Sequence, residues 1–302
     1  MRPLVGPVPE PAERTLSALR RSARATLTPG DPARGGLSRD GLFSGGAAVA
    51  VPLVHAIPGT AQLCLVVPAA VAREVAAREA GAGEGQAPAR LEVLDVLVGG
   101  AADGRCRRVV VVEGRIFVPS TPDQRRMASD IARDLADPAL LDVGTAAALV
   151  RLVPERIVLT DHDGVTVIDP DDLATSGPDP FADLEGLWLA HLGDPRCPVV
   201  ERIAVRFARC VPAERPLLVG LDRAGVDLEV TGPDGAVRRH RLPFAQTCVG
   251  VADLGMQIRL LAGCPRSAAP LAGRASRPVG RDGRADQTAR DSASGPASAP
   301  ER

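Results

Sequence analysis

The sequence predicts an α+β protein built from two successive units, and three observations carry that reading. Apolar runs of strand length, bounded by Gly, Pro, Asp and Ser, recur from about residue 47 to residue 168. Between them lie stretches with apolar residues at helical spacing. After the turn-rich segment "ATSGPDP" (174–180) the order changes to two helices, a meander of strands and a closing helix. Residues 10–175 are therefore expected to form a strand-rich unit with helices around it, and residues 179–263 a smaller α+β unit. Residues 264–302 hold one Leu and one Val among Ala, Ser, Pro, Gly and Arg, too little apolar surface to offset ordering entropy, and are expected to be disordered.

In chain order, the first helix is predicted over Pro11–Leu27, with Leu16, Leu19, Ala23 and Leu27 at helical spacing and Pro11 near its start. "GGLSRDGLFSGG" (35–46) reads as loop. "AAVAVPLVHAI" and "AQLCLVVP", parted by "PGT", read as two strands joined by a turn, and "AAVAREVAARE" (69–79) as a helix. "GAGEG" (81–85) follows that helix and precedes a strand. This reverses the order a dinucleotide-binding loop requires, and marks a connection. "LEVLDVLV" and "RCRRVVVVEGRIFV" are strands, the first apolar on both faces with Asp95 in line with Leu91, Val93 and Leu97. A helix follows with Thr121 as the expected N-cap, Pro122 in its first turn and Gln124 completing a capping-box pattern. "TAAALVRLVPERIVLTDHDGVTVID" returns to strand, with a tight turn at "DHDG".

In the second unit, Asp179 is placed to cap a helix starting at Pro180. Leu184, Leu187, Trp188, His191 and Leu192 then fall on one apolar stripe that Gly193 and "DP" terminate. A further helix starts at Pro198, with Val199, Val200, Ile203 and Phe207 facing inward. Strands at "PLLVGL", "VDLEV" and "VRRHRLPF" are separated by turns at "DRAG" and "GPDG". The closing helix, Val251–Ala262, aligns Val251, Leu254, Ile258 and Leu261 and stops at Gly263.

Composition excludes several function classes. The formal net charge is −1, so a nucleic-acid footprint and a polybasic membrane signal are both missing. All 36 basic residues are arginine and there is no Lys, Asn or Tyr, the bias of a GC-rich genome, which lowers the weight of any arginine run. No apolar run approaches the roughly 18 residues of a membrane helix, and the start lacks a secretory core, so a cytoplasmic protein is expected. Six scattered cysteines without a C-x-x-C pair fit inert thiols in a reducing compartment.

Motifs for nucleophilic, zinc or phosphate-loop chemistry do not occur. "DHDG" (161–164) has two carboxylates around His162 but no distal ligands for calcium, and reads as a hairpin turn. "RRHR" (238–241) could bind an anion, or could be an edge strand guarded by charge. His55, at the end of an apolar strand, could line a pocket or be a hydrogen-bonded core residue. His191 could be the axial ligand of a haem or a structural histidine at a helix end; Cys197, beyond the chain reversal, shares no metal spacing with it.

The second unit resembles the C-terminal domain of the haem iron utilisation protein family. The residues that carry the resemblance are Leu189-Ala190-His191, then Gly220-Leu221-Asp222 with Gly225 and Asp227-Leu228, then Arg241-Leu242-Pro243-Phe244. The resemblance implies that residues 10–175 form a split β-barrel like that of the pyridoxamine phosphate oxidases and other FMN-binding proteins, that the molecule is a homodimer, and that haem or FMN is the class of ligand. It also implies cofactor-binding candidates: His191 and His55 as ligands, with Arg73 and Arg78 holding an acidic cofactor group. Where the family shows H-M-N-x-D-H, this chain keeps His191 but has Arg196 at the second histidine. No histidine follows His240, where haem-degrading relatives place their axial ligand, and "VPAAVAREVAARE" lacks the hydroxyl of an FMN phosphate grip. These departures favour a non-catalytic binding or regulatory protein linked to tetrapyrrole metabolism, with a tetrapyrrole, a flavin or another protein as partner. A haem-degrading or FMN-dependent oxidoreductase is the alternative.

Overall fold

The computed structural model describes residues 8–21, 24–30, 47–82, 86–98 and 102–263, apart from the side chains of 78–82, and these residues fall in one compact unit. The predicted loop at 35–46, most of "GAGEG", and the tail from residue 264 lie outside the described residues. The mixed α+β architecture holds, with a nearly closed antiparallel barrel and a second, three-stranded sheet.

The chain begins with α1 (Pro11–Arg21) and continues into β1 (Arg24–Pro29). The predicted helix is thus too long: Leu27 is a strand residue, buried between β2 (Val49–Val51) and β5 (Ala87–Val96). Its helical spacing from Leu16 and Leu19 is coincidental, and the threonines around it favour the extended chain once a sheet is there to pair with. β3 (Leu53–Ala56) and β4 (Leu63–Pro68) form the predicted hairpin, and α2 (Ala69–Ala82) follows. β5 pairs with β6 (Cys106–Phe117), β6 with β7 (Ala147–Asp161), and β7 with both β4 and β8 (Gly164–Ile168).

The sheet therefore runs β2-β1-β5-β6-β7-β4-β3, and its two end strands are neighbours in sequence, joined through Pro52 alone. A sheet whose two edges meet at one residue must curl round on itself, which nearly closes the barrel. Alternation fills the interior. Leu91 and Val93 of β5, Val110, Val112 and Ile116 of β6, and Val150, Leu152, Ile157 and Leu159 of β7 point into one core with Leu16 and Leu19 of α1 and Val75 of α2. A bulge interrupts β6–β7 where Gly114 opposes Pro154; a Cβ on Gly114 would stand 2.1 Å from the Val153 carbonyl oxygen, so only glycine allows that approach.

α3 (Thr121–Asp134) covers a smaller apolar cluster through Ile131. Its N-cap is Ser120, not Thr121: the Ser120 hydroxyl accepts from the Asp123 amide and donates to the Asp123 carboxylate. Gln124 does not complete a capping box. Its side chain donates to the Pro119 carbonyl and accepts the Leu149 amide, pinning the helix to β7.

α4 (Pro170–Thr175) leads out of the barrel. Asp179 accepts the Phe181 amide in a turn rather than capping a helix at Pro180; the helix, α5 (Glu185–Leu192), begins later. α6 (Val199–Ile203) runs into a π-helical turn (Ala204–Ala208), and Val200 and Ile203 are buried as expected. β9 (Arg215–Asp222), β10 (Gly225–Thr231) and β11 (Val237–Pro243) form the predicted meander, in order β11-β10-β9. α7 (Val251–Leu261) closes the core with Leu254, Ile258 and Leu261 and ends at Gly263, whose φ is +71°, while Val251 is exposed. Leu97 and Ala102, from the connection between β5 and β6, are buried in this second core.

Candidate functional site

The turn motif Gly220-Leu221-Asp222…Gly225-x-Asp227 is built around charge. Asp222 accepts the amides of Ala224 and Gly225, closing the β9–β10 turn, and accepts from Arg241 at 2.6 Å. Arg241 also pairs with Asp227 at 3.3 Å. Glycines at 220 and 225 leave room for the Asp227 carboxylate and the Leu242 carbonyl; a Cβ would come within 2.4 Å of each. The turn thus fixes Arg241 on β11.

Next to this sheet lies a buried ionic cluster. The Asp95 carboxylate accepts from Arg21 at 3.1 and 2.9 Å, from Arg107 at 2.9 Å and from Arg108 at 2.9 Å. Arg107 also forks onto Glu185 at 2.6 and 2.5 Å and donates to the Val219 carbonyl. Glu185 takes a third contact from Arg21 and accepts the Leu221 amide. Burial alone would push both carboxyls up; the guanidiniums, Arg107 foremost, outweigh it and hold Asp95 and Glu185 below the usual carboxylate range. Burial pulls Arg108 down, and Arg107 and Arg21 add repulsion that Asp95 does not offset.

This cluster corrects the phase of α5. Glu185, Leu189 and Leu192 face inward, Leu187 is 70% exposed and His191 is exposed. Seating Glu185 against Arg107 turns the helix by about one residue, or 100°, from the orientation its apolar residues suggest. Trp188 is half-buried, packed against the second core with its ring edge-on to His191.

Arg107 and Arg108 form part of the wall of a cavity of about 300 Å³ between the β5–β6 hairpin and the three-stranded sheet. Arg105, Arg239, His240 and Arg241 also line it, with Asp163, Asp227 and Glu229 as its carboxylates. Arg239 donates to Glu229 at 2.7 Å, and Arg105 lies 2.7 Å from the same carboxylate outside hydrogen-bond geometry. His240 Nε2 and Arg241 Nε are buried without a hydrogen-bond partner among the described residues. "RRHR" is indeed on an edge strand, and it contributes three residues to this cavity.

A second cavity, of about 130 Å³, holds His55 at the rim of the barrel. Its walls are mostly apolar, from Leu16, Val54, Ile57, Leu135 and Leu173. His55 Nδ1 lies 4.0 Å from Asp134, beyond hydrogen-bonding distance, and burial, with Arg20 nearby, lowers the imidazole pKa. Arg20 is committed elsewhere, with Nε donating to Asp183 and Nη1 to Asp134.

The candidates named from sequence are not brought together. His55 lies in this rim cavity, His191 stands exposed on α5, and Arg73 is exposed on α2 and lines neither cavity. The Arg78 side chain is outside the described residues. Asp161 and Asp163 both bind Arg14, at 2.7 and 2.9 Å, and "DHDG" is the hairpin turn expected of it. The described cysteines are free thiols; burial pushes Cys64 and Cys248 up to about 11, which keeps them protonated.

No protein-family model and no curated protein matches this chain. Among solved structures, a haem binding protein from Mycobacterium smegmatis is 16% identical, with a TM-score of 0.52 over 85% of this chain and 98% of that one. A protein of unknown function from Agrobacterium tumefaciens is 19% identical over 87% of this chain and 99% of that one, with a TM-score of 0.32. None of the described helices is long and apolar enough to cross a membrane. At these identities, what the Mycobacterium smegmatis protein shares with this chain is the fold.

Proposed function

We propose that this chain is a non-catalytic, haem-related binding protein of the split-barrel kind, holding a tetrapyrrole at the His55 cavity. The observation that carries the reading is a desolvated imidazole among apolar walls, on a fold shared with a haem binding protein. His55 would hold haem iron through a neutral imidazole nitrogen, and burial, by lowering its pKa, favours that form. The apolar walls of this cavity of about 130 Å³ would suit an apolar part of a macrocycle. Arg20 and Asp134, the charged residues lining this cavity besides His55, are bound to each other. Paired in this way they leave no free acid–base pair beside His55, which supports a carrying or regulatory role over turnover. The same reading makes the molecule a homodimer in two parts, the barrel at 10–175 and the smaller unit at 179–263.

The test is a haemin titration followed by absorption, with sedimentation on the same sample. One equivalent of haemin is expected to give a saturating Soret band that His55→Ala abolishes and His191→Ala leaves intact, on a dimer. No Soret change, or a band lost only in His191→Ala, overturns the assignment. Ring opening of bound haem on adding a reductant and dioxygen would replace binding by catalysis.

A further inference from the structure

The ionic cluster at Asp95 is out of balance, and the imbalance faces a cavity. Arg21, Arg107 and Arg108 converge on two carboxylates, Asp95 and Glu185. Arg107 engages both carboxylates, forking onto Glu185 and reaching Asp95. Arg21 likewise touches both. Among the described residues Arg108 has one ion-pair contact, to an Asp95 oxygen that Arg21 and Arg107 already use, and its side chain is only 13% exposed. The other guanidiniums of the cavity wall are better matched: Arg241 has Asp222 and Asp227, and Arg105 and Arg239 share Glu229. Asp163, the remaining carboxylate of the wall, is taken by Arg14. A buried guanidinium short of countercharge is costly, and an anion reaching it from the adjoining space relieves that cost.

Opposite, on β11, His240 has a buried Nε2 and Arg241 a buried Nε, neither with a hydrogen-bond partner among the described residues. Leu97, Val219 and Leu228 supply an apolar part of the lining, room for a short carbon skeleton. We propose that this 300 Å³ cavity is a binding site for a small oxyanion, a carboxylate or a phosphate, held chiefly by Arg108 with His240 donating from Nε2. The fork of Arg108 presents paired N–H donors that match either group, and low exposure strengthens the contact over one in water. The site is separate from the His55 cavity and does not depend on the haem reading.

Thermal melting of the full chain in sodium phosphate, in sodium malonate, and in sodium chloride at equal ionic strength tests it. One of the two oxyanions is expected to raise the melting temperature saturably where chloride does not, and which one does so identifies the group the site prefers. Arg108→Gln is expected to weaken that binding by about tenfold or more, the size of one charge-assisted hydrogen bond. His240→Ala, on an edge strand, should weaken it in the same sense, and decides the matter if Arg108→Gln does not fold. No saturable shift with either anion, or the same shift in wild type and in both variants, overturns the proposal.

Discussion

Asp95 accepts from three guanidiniums at once, and its side chain has no solvent exposure. Replacing it with Asn leaves Arg21, Arg107 and Arg108 around Glu185 alone, and is expected to cost about 3–5 kcal/mol, the penalty for stranding buried charge. Chemical denaturation measures this, and an unchanged midpoint would show the cluster to be ornamental. The sign with pH follows from the depressed carboxyl. Its stabilisation is in place above the ordinary value of 3.8 and is lost progressively as pH falls from there through the lower native value. The gap between wild type and Asp95→Asn should therefore stay constant from pH 7 down to about pH 4. At this scale the sequence was half legible. Asp95 could be placed in line with Leu91 and Val93, but its partners Arg21 and Arg107 lie 74 and 12 residues away, and nothing local announces them. Glu185 was missed for the same reason: a glutamate among leucines reads as the wet face until Arg107, 78 residues away, is seen opposite it.

Hairpins and closing turns were the most legible elements, because their signals are short-range. The turns at "DHDG", "DRAG" and "GPDG" fall where Asp and Gly satisfy the local backbone, as Asp222 does for the amides of Ala224 and Gly225. The ends of α1 and α3 were less so. β1 takes Leu27 because of strands at Val49 and Leu91, which the helical period cannot foresee. Ser120 and Thr121 are equivalent as cap residues in sequence, and only the Ser120 hydroxyl meets the Asp123 amide. Ser120→Ala should thus lower stability by about 1 kcal/mol, and Thr121→Ala by much less. Comparing the two melting curves checks the placement, and a reversed order would return the cap to Thr121.

Across the molecule, the barrel and the three-stranded sheet are tied by polar contacts as well as by apolar ones. Asp179 accepts the Arg223 amide from the β9–β10 turn, while its own amide donates to Ser17 of α1. Glu13 of α1 reaches Arg223 at 2.8 Å. One calorimetric transition is expected for the wild type, and a lower, broadened or split one for Asp179→Ala; an unaltered trace would mean that the two sheets are held together by apolar packing alone. The curled sheet has a further consequence, for the order of assembly. The β3–β4, β5–β6 and β7–β8 pairs join neighbours in sequence and can form early. Pairing Leu63 with Leu152, and Arg24 with Leu94, requires distant segments to meet before the two edges can come together at Pro52. Until β7 arrives, the run Val109–Val112 of β6 has one long edge unpaired. The newly made chain is therefore most exposed to sticking to its own kind between the β5–β6 hairpin and the synthesis of residue 161.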